Sequence, residues 1–221
     1  PSQSPTDTEV DNLINFIRGI DTYDQDADNN KSESIHKLAD VYHSELIVVG
    51  PPEAPSAGTG KSNHNKTDIY YRYQNSYNNF INGSSCGGPC KNRTEVVIAG
   101  SNNGILHAFK TSNGEELWGY IPPVLLGNLE QIPSSQANTT NAIYGVDGSP
   151  IVHDVFMKGL DDDGEWENIP RWHTILMIPF GRGGAGFSGL DVTEPVIEND
   201  KGPMHKFTIF NDNVNSKVLI A

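Results

Sequence analysis

Cysteine, basic charge and long apolar runs are all scarce in this chain. It holds two cysteines in 221 residues, and 15 lysines and arginines stand against 28 aspartates and glutamates, for a formal net charge of −13. So acidic a chain repels phosphate backbones and anionic lipid at long range, which argues against nucleic-acid binding. No stretch reaches the roughly 18 apolar residues that a membrane span requires, and no basic-then-apolar leader is visible. Hydrophobic residues make up only 36%, while 22 glycines and 14 prolines point to many turns rather than long helices. The chain opens at Pro1 rather than at a methionine. It is therefore expected to be an internal or processed piece of a larger exported protein.

Both cysteines, Cys86 and Cys90, lie in Ser-Ser-Cys-Gly-Gly-Pro-Cys-Lys. A zinc site needs four ligands, and the nearest histidine is His64. A local disulfide suits the spacing better, with two free thiols as the plain alternative. Closing so small a loop adds about 2 kcal/mol and persists only outside a reducing cytoplasm. Asn65, Asn82, Asn92 and Asn138 each open an Asn-X-Ser/Thr triplet, although an asparagine-rich chain produces such matches by chance.

Val10, Leu13, Ile14 and Ile17 recur at helical spacing between Thr6 or Asp7 as cap and Gly19 as stop. An acidic run from Asp21 to Glu33 follows. Residues 1–37 are thus read as a helix and an acidic linker, and residues 38–221 as one domain with an insertion at 51–93. Within that insertion, Asp68-Ile-Tyr-Tyr-Arg-Tyr-Gln has the aromatic and β-branched character of an edge strand. Beyond Thr94, short strands are expected at Glu95–Ala99, Ile105–Lys110, Glu116–Ile121, Ser149–Phe156, Trp172–Ile178, Gly186–Val192, Lys206–Phe210 and Lys217–Ile220. Asn102-Asn-Gly104 and Asn113-Gly114 mark hairpin turns between them. The pattern is all-β: a sandwich, barrel or propeller.

Three tempting motifs lack their context. Ala57-Gly-Thr-Gly-Lys-Ser62 ends like a phosphate loop, but Pro55 stands where its first glycine belongs. Gly181-Arg-Gly-Gly-Ala-Gly186 fits the dinucleotide pattern, yet a strand rather than a helix follows, so these glycines are read as allowing close backbone approach. No nucleophile elbow organises the seven histidines into a triad, and His43, His107, His153 and His173 read as hydrogen-bonded imidazoles in or beside strands.

The acidic run is the stronger candidate. Asp24, Asp26 and Asp28 alternate, as they do where one turn directs several oxygens at a hard cation. Asn29 takes the sixth loop position, where glycine is usual, and asparagine tolerates the left-handed turn. Ile35 takes the twelfth, so Glu33 falls two places early and the loop would be a shortened one. Asp24, Asp26, Asp28, Asn30 and Glu33 are the candidate calcium ligands; the alternative is a solvated acidic linker. Asp161-Asp-Asp-Gly-Glu165 reads as a polar hairpin tip.

Val96 to Trp118 has the logic of a propeller repeat: two strands joined at Gly104, a second turn at Gly114, and a closing Trp118. It resembles the repeat of quinoprotein-type β-propellers, in which Gly104, His107, Gly114 and Trp118 would define a blade. Four features in order are similar to the C-terminal propeller of the PilC/PilY family of type IV pilus tip adhesins and assembly proteins. They are Asp40-Val-Tyr-His-Ser44 leading to Val48-Val-Gly-Pro-Pro52; Gly100 to Phe109 with Gly114 to Pro123; Val146-Asp-Gly-Ser-Pro150; and Trp172-His-Thr-Ile-Leu with Gly183 to Pro195. Lys110 departs from the aspartate common in such repeats, and the insertion is peculiar to this chain.

The resemblance implies a partial β-propeller carrying a short N-terminal helix and a long loop insertion. It also implies a non-enzymatic adhesin or pilus assembly factor at the tip of type IV pili, extracellular or on the cell surface and exported through the periplasm; calcium as a cofactor rests on the spacing of the acidic run. Minor pilins or other pilus components, a host or abiotic surface ligand, and the remaining blades of the same protein would be its partners. Tyr70, Tyr71, Tyr73, Tyr77 and Phe80 would then either recognise a ligand or pack the insertion down. The alternatives are a structural, filament-associated extracellular propeller and a periplasmic dehydrogenase using pyrroloquinoline quinone. A blade takes about 40–45 residues, so residues 94 to 221 supply about three, and open β edges should be covered by the rest of the molecule or by a partner.

Overall fold

Thr6 starts the first helix, α1 (Asp7–Ile17), through a reciprocal cap. Its hydroxyl accepts from Glu9 N at 3.3 Å, and its own N–H donates to the Glu9 carboxylate at 2.8 Å. Asp7 and Glu9 in the first turn also suit the positive end of the helix dipole. The computed structural model describes residues 4–53, 68–134, 144–159, 165, 167–198, 202–212 and 214–220. None of their helices is long and apolar enough to cross a membrane.

The remaining architecture is mostly β. One antiparallel sheet runs β1 (Ile47–Val49), β2 (Val96–Gly100), β3 (Leu106–Lys110) and β4 (Glu116–Tyr120) in that order. Between β1 and β2 lie two helices, α2 (Asp68–Gln74) and α3 (Tyr77–Asn82), and a last helical turn, α4 (Gln131–Ser134), follows β4. A second antiparallel sheet runs β5 (Ile151–Met157), β6 (Arg171–Pro179), β7 (Gly186–Asp191), β8 (Met204–Asp212) and β9 (Lys217–Ile220), again in chain order. All eight strands expected from the sequence past Thr94 are present within a few residues of their expected bounds. Each sheet is a meander of antiparallel neighbours, although in the first the long insertion separates β1 from β2. No closed sheet is seen among the described residues.

The two sheets share one core. Val96 and Ile98 of β2, Leu106 and Ala108 of β3 and Trp118 of β4 pack with Leu176 and Ile178 of β6 and Leu190 of β7. Trp118 bridges them by polarity as well, because its indole N–H donates to Pro195 O, beyond β7, at 2.8 Å. Gly104 and Gly114 adopt positive φ (85° and 74°) at the two turns of this sheet.

What joins the sheets is a short strap of backbone, residues 144–150. Val146 N donates to Ser101 O of the first sheet's β2–β3 turn at 3.1 Å, and Asp147 N donates to Phe180 O at the end of β6 at 3.2 Å. This threading leaves no room for side chains. A Cβ on Gly145 would collide with the backbone of Gly104, and one on Gly183 with the carbonyl of Gly145. The run Gly181 to Gly186 is therefore a one-turn 3₁₀ segment (Gly181–Gly183) feeding β7, pressed against the strap. The segment before β1 closes over the same place. His43 Nδ1 lies 2.9 and 3.0 Å from the two Asp147 oxygens, Ser44 Oγ accepts from Gly100 N at 3.1 Å, and Asn102 N donates to Asp40 O at 3.0 Å.

The insertion departs from expectation. Asp68–Gln74 is the helix α2, not an edge strand. An Asp68–Arg72 pair one turn apart (2.7 Å) stabilises it, and the Arg72 guanidinium sits 4.3 Å over the Tyr77 ring. Tyr77, Phe80 and Ile81, at helical spacing, form a second core with Cys90 and Trp172. The Tyr77 hydroxyl donates to Asp154 of β5, and Trp172 Nε1 to Asn75 O at 2.8 Å, so the insertion is fastened to the second sheet. Burial pushes the Tyr77 hydroxyl far above its ordinary range, which keeps it a donor. Cys86 and Cys90 are disulfide-bonded, and Cys90 is fully buried in this second core. The phosphate-loop-like stretch 57–62, the Asn65 and Asn138 triplets and most of the acidic tip at 161–165 lie outside the described residues.

Gly183→Ala should lower stability by about 1–3 kcal/mol, since the overpacked methyl must displace the strap. Gly127→Ala, with nothing within 4 Å, should change it by less than about 0.5 kcal/mol. Urea midpoints of the two variants check this, and equal midpoints would contradict the role of the strap. Replacing both cysteines by serine should cost about 2 kcal/mol on the same scale.

Candidate metal centre

The acidic run folds into a closed loop directly after α1. Its neck is made by backbone: Asp21 N donates to Glu33 O at 2.9 Å, Ile35 N to Gly19 O at 2.9 Å, and Ile20 pairs with Ser34 as an isolated bridge. Gly19 takes φ +91° to turn the chain out of the helix. Thr22 Oγ1 donates to Asn12 O at 2.8 Å, and Tyr23 meets Phe16 edge to face at 5.2 Å, so both residues tie the loop to α1.

Inside the loop, side-chain oxygens accept from backbone amides in sequence. Asp24 Oδ1 accepts from Asn29 N at 2.9 Å, Asp26 Oδ1 from Asp28 N at 3.3 Å, and Asp28 Oδ1 from Asn30 N at 2.7 Å. Asp24, Ala27 and Asn29 hold positive φ (55°, 62° and 69°), so the chain coils tightly. The left-handed Asn29 stands at the sixth position, where the sequence called for that conformation.

Two overlapping sets of carboxylates result. Asp24, Asp26 and Asp28 form one, and Asp21, Asp26 and Glu33 the other; within each, ligand atoms lie within 4.8 Å of one another. Of the other sequence candidates, Asn30 accepts through Oδ1 from Ser32 N and Ser32 Oγ at 3.3 and 2.9 Å. Asp21 is the residue that counting along the loop misses, because it precedes the first expected ligand by three places. Only the pairing of the neck brings it opposite Glu33. It is also the most buried member at 1% exposure; Oδ2 accepts from Gln25 N at 2.8 Å, whereas Oδ1 has no hydrogen-bond partner. A buried carboxylate oxygen without a partner is costly unless a cation supplies one. Glu33 is pushed above the usual carboxylate range by desolvation and by the repulsion of Asp28, Asp26, Asp21 and Asp24. This donor set, oxygens only and mostly anionic, is the kind that hard divalent cations take.

The other sequence candidates lie apart from the loop. His107 is buried in β3 with Nδ1 2.8 Å from Glu116 Oε1, and Lys37 pairs with the same carboxylate. Burial pushes His107 down, towards the neutral imidazole. His43 and His173 are likewise held by carboxylates, and His153 is exposed. Cys86 and Cys90 sit in the insertion, and no zinc-type cluster of histidine and cysteine occurs among the described residues.

No family model matches the chain. It is similar to the type IV pilus biogenesis factor PilY1 of Pseudomonas aeruginosa strain UCBPP-PA14, with 30% identity over 193 residues, which is 86% of this chain and 14% of that protein. A PilY1 homolog of Xylella fastidiosa strain Temecula1 is 26% identical over 186 residues, 82% of this chain and 13% of that protein. Among solved structures, the C-terminal domain of Pseudomonas aeruginosa PilY1 is 29% identical, with 54% of this chain and 19% of that chain covered and a TM-score of 0.35. The chain thus spans about a seventh of the length of the curated relatives it matches.

Proposed function

Because the chain belongs to the PilY1-type family, we propose that it is a non-enzymatic part of a cell-surface type IV pilus assembly factor and adhesin, regulated by calcium. The observation that carries this reading is the sequence relationship itself, which runs through 86% of the chain. In it, the two meanders are neighbouring blades of a propeller completed by other segments of the same protein. Trp118, packed in the shared core with its N–H on Pro195 O, is the wedge between them. All four residues of the outer strand β9 are exposed, and among the described residues β9 pairs only with β8, which suits an edge awaiting a further blade. Other pilus components are the expected partners.

The insertion is the candidate recognition surface. Tyr77 and Phe80 are buried against Trp172 and hold it in place, whereas Tyr71 and Tyr73 remain exposed at 48% and 58%. Exposed tyrosines suit a host or abiotic surface, because they combine an apolar ring with a hydrogen-bonding tip.

Calcium would be held by Asp21, Asp24, Asp26, Asp28 and Glu33. The cation would supply charge neutralisation and the missing partner for Asp21 Oδ1. Asp21 would transmit that occupancy to the neck and to α1, since its N–H bonds Glu33 O and its side chain holds Gln25 N.

Two experiments test these readings. Chelation should lower the melting temperature of the purified chain, Asp24→Ala with Asp26→Ala should abolish that sensitivity, and Asp21→Asn should weaken calcium binding at least about tenfold. An unchanged melting curve on chelation would remove the loop from the account. On cells, the full-length protein should appear in the mechanically sheared surface fraction and carry no bound quinone absorbance. Its absence from that fraction, or a quinone chromophore, would overturn the adhesin reading.

A further inference from the structure

His173 of β6 is 7% exposed and lies between two carboxylates. Its Nδ1 is 2.7 Å from Asp191 Oδ2 at the end of β7, and its Nε2 is 3.1 Å from Glu167 Oε2 in the segment before β6. A neutral imidazole has one N–H to give, so both contacts are satisfied at once only by the imidazolium.

The two carboxylates are not equally held. Asp191 is fixed by two further donors, Thr193 N at 3.0 Å and Thr193 Oγ1 at 2.6 Å, and by an ion pair with Lys206 Nζ of β8 at 3.6 Å. Glu167 has Gly159 N at 3.0 Å and, on its other oxygen, Arg171 Nε at 3.0 Å, whose side chain is 58% exposed. The Glu167 amide in turn donates to Gly159 O at 3.0 Å. Glu167 therefore closes Gly159 back upon itself, and His173 is the buried group of β6 that pins that closure to the sheet, beside the exposed Arg171 at the start of the same strand.

We propose that His173 is a proton-operated latch: as the imidazolium it clamps Glu167, and with it Gly159, to β6 and β7, and on losing one proton it lets Glu167 go. The proton lost is the one on Nε2, since Nδ1 keeps the shorter bond to the better-anchored Asp191. Glu167 Oε2 then faces a lone pair, and the carboxylate moves outward with Arg171, its exposed partner. Burial works against the charged form, but Asp191 and Glu167 outweigh it and raise His173 above its ordinary value. The sign follows from that direction. Stabilisation by the clamp is complete below about pH 6.5 and is lost as pH rises through the folded-state value.

The test is hydrogen exchange of the Gly159 amide between pH 6 and 9, with the His173 ring nitrogens followed by NMR. After correction for the intrinsic base-catalysed rate, protection at Gly159 should fall at least about tenfold across the His173 titration, while the core amide of Leu176 keeps its protection. Glu167→Gln, whose amide can accept or donate, should hold Gly159 equally protected at both ends of the range and lower the His173 titration point. A merely structural pair would give protection independent of pH in the native chain. That result, or a neutral His173 at pH 6, overturns the latch.

Discussion

The structure depends on a place where three pieces of backbone touch with no side chain between them. Gly145 of the strap lies against Gly104 in the first sheet's turn and against Gly183 in the second. Because the strap gives one amide to each sheet, the two meanders are held in register through main-chain bonds, and the apolar faces that form the shared core can then meet. Close-packed interiors tolerate little displacement, so the position of Trp118 against Pro195 and the burial of Val146 both follow from this contact. The segment 40–44 adds a lid through the His43–Asp147 pair and the Ser44 hydroxyl.

That junction gives the four separated sequence features a common physical meaning. Asp40–Ser44, the Gly100–Phe109 turn and strand, Val146–Pro150 and the Gly183–Pro195 stretch are distant along the chain, yet each supplies a hydrogen bond or a bare glycine to the same junction or to its Trp118 wedge. A resemblance carried by such residues concerns how sheets are joined.

The strands were legible because their signal is local: β-branched residues alternate, and Gly104 and Gly114 stop them. The helices of the insertion were not. Asp68–Gln74 has the composition of a strand, and what makes it helical is tertiary: the packing of the following Tyr77 and Phe80 on Trp172, and Arg72 lying over Tyr77. Composition is a weaker determinant than such packing. In the acidic loop, alternation exposed Asp24, Asp26 and Asp28, and the left-handed Asn29 was foreseeable from its tolerance of that conformation. Asp21 was hidden because its place opposite Glu33 comes from the pairing of Ile20 with Ser34, which no spacing rule contains. Asn30, whose spacing fits a ligand, accepts from Ser32 through its Oδ1.

The loop and the strap are therefore different kinds of element. The strap is fixed by sterics, whereas the loop gathers like charges around a buried oxygen that lacks a partner, and its balance is open to an ion. Tyr23 lies in the loop beside Phe16 of α1, which makes the central claim directly measurable. Terbium added to the purified chain should give saturable emission on tyrosine excitation, displaced by calcium and lost in Tyr23→Phe. Absence of sensitised emission, or emission that calcium does not displace, would contradict a cation site in this loop.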